Sequence, residues 1–141
     1  MDAQLHSIHI FSFLLSAIVH DLGHPGRTNA FLINTMDDLA VTHNDKSILE
    51  NYHIAQAFKI FRKPATNIFA NMSPEEFRTI RRFMIECVLA TDMSKHGQQI
   101  TQGPQKLENM EDDKVFTLSL LLHAADISHA CRPWDVTDRW T

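Results

Sequence analysis

The residues best suited to chemistry are His20, Asp21 and His24, in the string His20-Asp21-Leu22-Gly23-His24. Imidazole nitrogen and carboxylate oxygen together can hold a divalent cation. A carboxylate has two oxygens, so Asp21 could bridge two cations. The string closes an apolar stretch, residues 8–19, and charge at a buried helix end is tolerated only when paired or metal-bound. A surface His–Asp pair or a helix-capping Asp would produce the same string, so other groups must be weighed with it. Asp126 is one. It follows an apolar run, residues 118–122, near the negative end of a helix dipole, where an acid is unfavourable unless a cation is close. It also reads as an ordinary helix-end residue facing water.

A third polar block, Thr91-Asp92-Met93-Ser94-Lys95-His96, follows another apolar stripe and reads equally as a helix end with a cationic last turn. Glu50 has a local explanation, a capping box with Ser47. His53 reads as a half-buried core histidine, and Cys87 as apolar filler. His6, His9 and His43 have no partner placed by pattern. There is no serine nucleophile elbow, no C-x-x-C pair and no glycine-rich phosphate loop, which disfavours serine-nucleophile and P-loop chemistry.

These groups have to be positioned by helices. The chain has 141 residues, 44% apolar and 21% charged, with 4 Gly and 5 Pro, as in one helix-rich globular unit. The net charge of −4 comes with no basic stripe, against nucleic-acid binding. Two cysteines suit a reducing compartment, and cytoplasm is the expected location. The apolar run at residues 8–19 is short of the roughly 20 residues a membrane span needs and has neither a basic leader nor a cleavage site. Period-3.6 patterns predict helices over residues 4–19, 28–39 and 47–62, then one starting at Ser73 with Pro74 and two acids in its first turn, then one over 114–127, with another beginning at Pro133 and running to the chain end, as in a fragment. The first should be buried all round. Ile48, Tyr52, Ala55, Phe58 and Phe61 should face inward in the third, Phe77, Ile80, Met84, Cys87 and Val88 in the fourth, and Val115, Leu118, Leu121, Leu122 and Ala125 in the fifth. Gly97, Gly103 and Pro104 predict a surface loop over residues 96–113.

Four blocks together resemble one family: His20-Asp21-Leu22-Gly23-His24-Pro25-Gly26-Arg27-Thr28-Asn29; Asn44-Asp45 with Ile48-Leu49-Glu50-Asn51; Leu89-Ala90-Thr91-Asp92-Met93-Ser94-Lys95-His96; and Leu122-His123-Ala124-Ala125-Asp126-Ile127-Ser128. The first is similar to the H-D-x-x-H-x-G-x-x-N signature of class I cyclic nucleotide phosphodiesterases. The resemblance spans nearly the whole chain but well under half of a complete catalytic domain. It implies an all-α, HD-type metallohydrolase helical bundle, with residues 1–141 forming a partial catalytic domain around the metal site. It implies two-metal hydrolysis of the 3′ phosphoester of cAMP or cGMP to the 5′ nucleotide. On this resemblance, His20, Asp21 and Asp126 would hold the tighter metal, zinc, and Asp21 would bridge to a second, magnesium or manganese. His24 and Glu50 would act with Asp21 in catalysis. His53, Thr91 and Asp92 would support the ligands and their waters, and Met93, Ile127 and His129 would lie by the nucleotide pocket. The expected partner is a cyclic nucleotide, with no nucleic-acid polymer and no membrane span.

The family's upstream H-N-x-x-H motif, which supplies a general acid and a further metal ligand, has no counterpart before His20, since His6 and His9 are three apart. Tyr52 stands where the family often has His. The isolated chain is therefore expected to be inactive and only marginally stable. Two alternatives stay open on sequence: another HD-type nucleotide phosphohydrolase, and a truncated, non-catalytic product.

Overall fold

The computed structural model describes residues 7–107 and 114–139, the side chain of residue 130 excepted. In chain order the helices are α1 (Ser7–Val19), α2 (Asn29–Asn34), α3 (Asp38–His43), α4 (Ile48–Phe61), α5 (Pro74–Leu89), α6 (His96–Leu107), α7 (Lys114–Asp126) and α8 (Trp134–Thr137). Short 3-10 turns lie at Pro64–Thr66, Met93–Lys95 and Ile127–Cys131. No strand occurs among the described residues, so the fold is all-α as expected. None of the described helices is long and apolar enough to cross a membrane.

Helix α5 is the hub, packing on α1, α4 and α7. Its start is a capping box. Glu76 N–H donates to Ser73 Oγ at 3.2 Å, and Ser73 N–H donates to the Glu76 carboxylate at 2.8 Å. Pro74 at the first helical position has no N–H to leave unpaired. The buried stripe is Ile80, Phe83, Met84, Cys87 and Val88. This matches the predicted face, with Phe77 partly buried and Phe83 added.

Helix α1 departs from expectation. Its buried positions are Ser12, Ser16 and Val19, whereas Ile10, Phe11, Leu14 and Ile18 are exposed, Ile18 by 77%. Each serine hydroxyl donates to a carbonyl four residues back, Ser12 to Ile8 at 2.6 Å and Ser16 to Ser12 at 2.7 Å, so neither is buried unpaired. Ser16 also meets Cys87 of α5, and Ser119 of α7 donates to Cys87 Sγ at 3.5 Å. This seam of small residues lets three helix backbones approach closely, and it sets the ends of α1 and α7 beside each other.

Cys87 is fully buried, and burial pushes its thiol up to about 11, while Cys131 is exposed. The thiolate is the reactive form. Alkylation of the native chain at pH 8 should therefore label one thiol per molecule, at Cys131, and two in urea. Rapid labelling of Cys87 in the native chain would show that the seam opens.

Other expectations are corrected in detail. Residues 28–39 form no single helix, because Met36 adopts a left-handed φ of 52° between α2 and α3. Ser47 caps nothing, being left-handed itself (φ 42°) where a capping side chain needs extended backbone. Its hydroxyl donates instead to Asp92 Oδ2 at 2.6 Å. Ile48, Leu49, His53, Ile54 and Ala57 are buried in α4, while Tyr52, Ala55, Phe58 and Phe61 are only partly covered. The buried residues of α7 are Thr117, Leu118, Ser119, Leu122 and His123, while Leu121 and Ala125 face outward. Residues 96–107 are helix, not loop, because Gln99 and Gly103 pack inward. A Cβ at Gly103 would come into ordinary contact with Leu120 of α7, 3.6 Å away. The rest of the predicted loop, residues 108–113, lies outside the described residues, as does the predicted helical start at residues 4–6.

Candidate metal centre

The α1 C-terminus carries His20 and Asp21, and the chain then turns through Gly23, whose φ of 77° suits a residue without Cβ. A Cβ there would also crowd Tyr52, 3.3 Å from its ring. Through the serine seam, the end of α7 delivers Asp126 to the same point. His20 Nε2 lies 3.4 Å from Asp126 Oδ1 and 3.6 Å from Asp21 Oδ2. From the other side α4 brings His53, whose Nε2 lies 3.7 Å from Asp21 Oδ1. His24 stacks on His53 with ring centroids 5.5 Å apart. Ligand atoms of Asp21, His24 and His53 all lie within 4.8 Å of one another, a spacing at which they could hold an ion.

The tautomers follow from the partners, because a carbonyl oxygen can only accept. His20 Nδ1 is 2.8 Å from the Ala17 carbonyl and His53 Nδ1 is 3.0 Å from the Leu22 carbonyl, so both Nδ1 atoms donate. In the neutral rings each Nε2 then presents a lone pair to Asp21. Lone pairs facing carboxylate oxygens repel unless a proton or cation lies between them. Carbonyl-anchored imidazoles of this kind are how ligating histidines are oriented. The donor set therefore fits divalent cations on both sides of Asp21. His24 differs. Gly26 N–H donates to its Nδ1 at 3.0 Å, so the neutral ring carries its proton on Nε2, a donor.

At His20 a proton stands on Nε2, between the ring and the carboxylates, where a cation would otherwise lie. The hydrogen bond to Asp126 raises His20 to about 9, against the opposing effect of burial and with help from the Ala17 carbonyl and Asp21. The same bond holds Asp126 below the usual carboxylate range. Asp21 and Asp126 are exposed, and His53 is buried and driven toward its neutral form by desolvation.

Around this centre Asn29 is a clamp that sequence reasoning did not single out beyond its place in the motif. Its Oδ1 accepts from Leu49 N–H at 2.9 Å, and its Nδ2 donates to Glu50 at 3.0 Å. Burial raises the Glu50 carboxyl, and the Asn29 bond opposes that. Asp92 is 5% exposed and accepts from Ser47 and from Ser94 N–H. Burial alone would raise its carboxyl, but these hydrogen bonds and Lys95 outweigh it and leave it low. Thr91 is buried and donates to the Val88 carbonyl at 2.8 Å. Met93 is 58% exposed, Ile127 half-buried and His129 exposed. Ile127 and His129 share the 3-10 turn after α7, and Met93 opens the one before α6.

Two further histidines were missed. His96 Nδ1 lies 2.8 Å from Nε2 of the buried His123, tying the start of α6 to α7 one turn before Asp126. Burial lowers the His123 pKa, so near pH 6 the unfolded chain binds the proton and the folded chain does not. The stability this histidine contributes is complete above about pH 6.5 and is lost as pH falls. Melting curves of the parent chain and of His123→Gln should therefore converge between pH 7.5 and 5.5. A gap that stays constant would count against a buried neutral imidazole.

With this geometry in place, comparison with known proteins is direct. The family model described as 3'5'-cyclic nucleotide phosphodiesterase matches residues 1–141. The chain is 45% identical over 138 residues to dual specificity calcium/calmodulin-dependent 3',5'-cyclic nucleotide phosphodiesterase 1B of Mus musculus, covering 97% of this chain and 26% of that protein. For the 1C protein of the same organism the identity is 43% over 139 residues, covering 97% and 20%. A crystal structure of the phosphodiesterase domain of a rhodopsin phosphodiesterase from Salpingoeca rosetta superposes with a TM-score of 0.88 at 35% identity, over 94% of this chain and 43% of that one. The chain belongs to the 3',5'-cyclic nucleotide phosphodiesterase family, whose members depend on divalent metals. It spans about a quarter of the length of the curated relatives it matches.

Proposed function

We propose that this chain is the metal-holding part of a phosphodiesterase catalytic domain that hydrolyses the 3′ phosphoester of cAMP or cGMP to the 5′ nucleotide. The observation that carries this reading is the convergence on Asp21, with His20 Nε2 beside its Oδ2 and beside Asp126 Oδ1, and His53 Nε2 beside its Oδ1. His20, Asp21 and Asp126 would hold one cation, with zinc favoured by the imidazole–carboxylate set. Asp21 would reach a second, magnesium or manganese, which prefers oxygen ligands and retained water. Divalent cations, when bound there, supply Lewis acidity toward phosphoryl oxygens and acidify water.

The remaining roles fall to this chain's own groups. His24, with its proton on Nε2, would donate to a phosphoryl oxygen. Glu50, turned by Asn29, and the anionic Asp92 would accept hydrogen bonds from water and fix its direction. His53, its Nδ1–H on the Leu22 carbonyl, would accept through Nε2 from a water held beside Asp21. Thr91 would keep the Asp92 turn closed, and Met93, Ile127 and His129 would border the nucleotide.

Hydrolysis of cAMP and cGMP by the purified chain, with Zn²⁺ and Mn²⁺ present, tests how much of the machinery this segment holds. Without an H-N-x-x-H motif to protonate the leaving oxygen, turnover should stay below roughly 1 s⁻¹, an ordinary enzyme rate. Faster turnover would show that the segment suffices. Failure to bind any divalent cation at micromolar concentration would sink the metal-site reading and favour a non-catalytic product.

A further inference from the structure

At the far end of α4 from the metal centre lies a basin that the chemistry above does not use. Glu50 and His53 stand near the start of that helix. Phe58 to Arg62 stand at its end, about 12 Å further along at the ordinary helical rise. The basin has a volume of about 780 Å³ and is formed between the end of α4, the Asn67–Met72 turn and the first turns of α5. Its apolar surface is aromatic: Phe58, Phe61, Phe69 and Phe77 pack edge-on and stacked, with centroids 5.2 to 6.4 Å apart. Lys59, Arg62 and Arg81 stand on the rim, all exposed, and no acidic residue lines it. The Arg81 guanidinium sits 4.3 Å over the Phe58 ring. None of the three cations makes an ion pair among the described residues.

The local charge is the reverse of the chain's. Residues 51–85 contain six Lys and Arg against Glu75 and Glu76, within a chain of net charge −4. An apolar concavity with a few convergent polar groups is the usual form of a small-molecule site, and this volume lies within the usual range of roughly 300–1,000 Å³. Guanidinium groups beside aromatic faces are weakly hydrated and suited to carboxylate or phosphate. The size argues for a small ligand over a macromolecular face, which would need roughly 800 Å² on each partner.

We propose that this basin is a second binding site for a small anionic amphiphile, its apolar body on the phenylalanine floor and its anionic head held by Lys59, Arg62 and Arg81. The site takes monomers from solution, because its rim cations converge on one concavity.

Calorimetric titration of the chain with dodecanoate, kept below its aggregation concentration, tests this. Saturable one-to-one binding is expected, with dodecanol bound at least roughly tenfold more weakly. The double variant Lys59→Glu/Arg62→Glu should weaken dodecanoate binding by at least the same factor. Both side chains are exposed, and an unchanged melting curve would show that the variant folds. Dodecyl phosphate is titrated beside the carboxylate, and the tighter of the two identifies the head group. No binding, equal binding of the alcohol, or indifference to charge reversal overturns the proposal. So does adhesion to phosphatidylserine vesicles without uptake of monomer, which would make this face a membrane-docking surface.

Discussion

Asp21→Asn should abolish both divalent-cation equivalents in a calorimetric titration, each weakened by more than about 100-fold. Altering a group that merely supports a ligand costs 10- to 100-fold in metal affinity, and Asp21 is proposed as a direct ligand on two sides. Its Oδ2 faces His20 and its Oδ1 faces His53. Asparagine keeps the shape but loses the negative charge and replaces one acceptor oxygen with a donor NH₂. Asp126→Asn is the control. Among the described residues Asp126 pairs with His20 and not with His53, so this variant should lose one equivalent and keep the other. Retention of either site at full affinity in Asp21→Asn would remove the shared-carboxylate reading. Two equivalents lost in Asp126→Asn would mean that the sites are not separable.

Phe83→Ala should cost about 3–5 kcal/mol of folding stability, as large-to-small core changes do. Phe83 is 2% exposed and closes a cluster with Cys87, Leu118 and Leu122 where α5 meets α7. Small domains have only about 5–15 kcal/mol in all, so the variant should be largely unfolded at 37 °C or melt far below the parent. The fold would also lose the junction that sets Asp126 opposite His20. Urea titration checks this, and a loss under about 1 kcal/mol would show that α7 is not held as described. Phe83 did not stand out in the predicted stripe of α5, because it sits between Ile80 and Met84 on a face that turned out wider than one row.

What could be read from residues alone was the local chemistry. The string at positions 20–24, the acid at 126 and the helix start at Ser73 are short-range patterns; the helix does begin there, but the capping box expected at Ser47 forms at Ser73 instead. Burial was less legible, because it depends on which neighbour arrives. In α4 and α7 the apolar residues exceed what one face can hold, so periodicity left the inward direction open by a residue or two. His53, Ser47 and Asn29 acquire their partners from segments 20 to 45 positions distant. No local signal points to those pairs. The histidine pair at 96 and 123 is likewise invisible until α6 is laid on α7. Glycine and proline at 97, 103 and 104 argued for a loop, and close packing on α7 overrode them.

The serine seam reverses the customary map of tolerance along the first helix. Leucine in place of Ser12 or Ser16 raises hydropathy and would be scored as a better core, yet it would act as a wedge between backbones that touch because nothing larger fits. The damage would surface some distance away, as two carboxylates that no longer meet at His20.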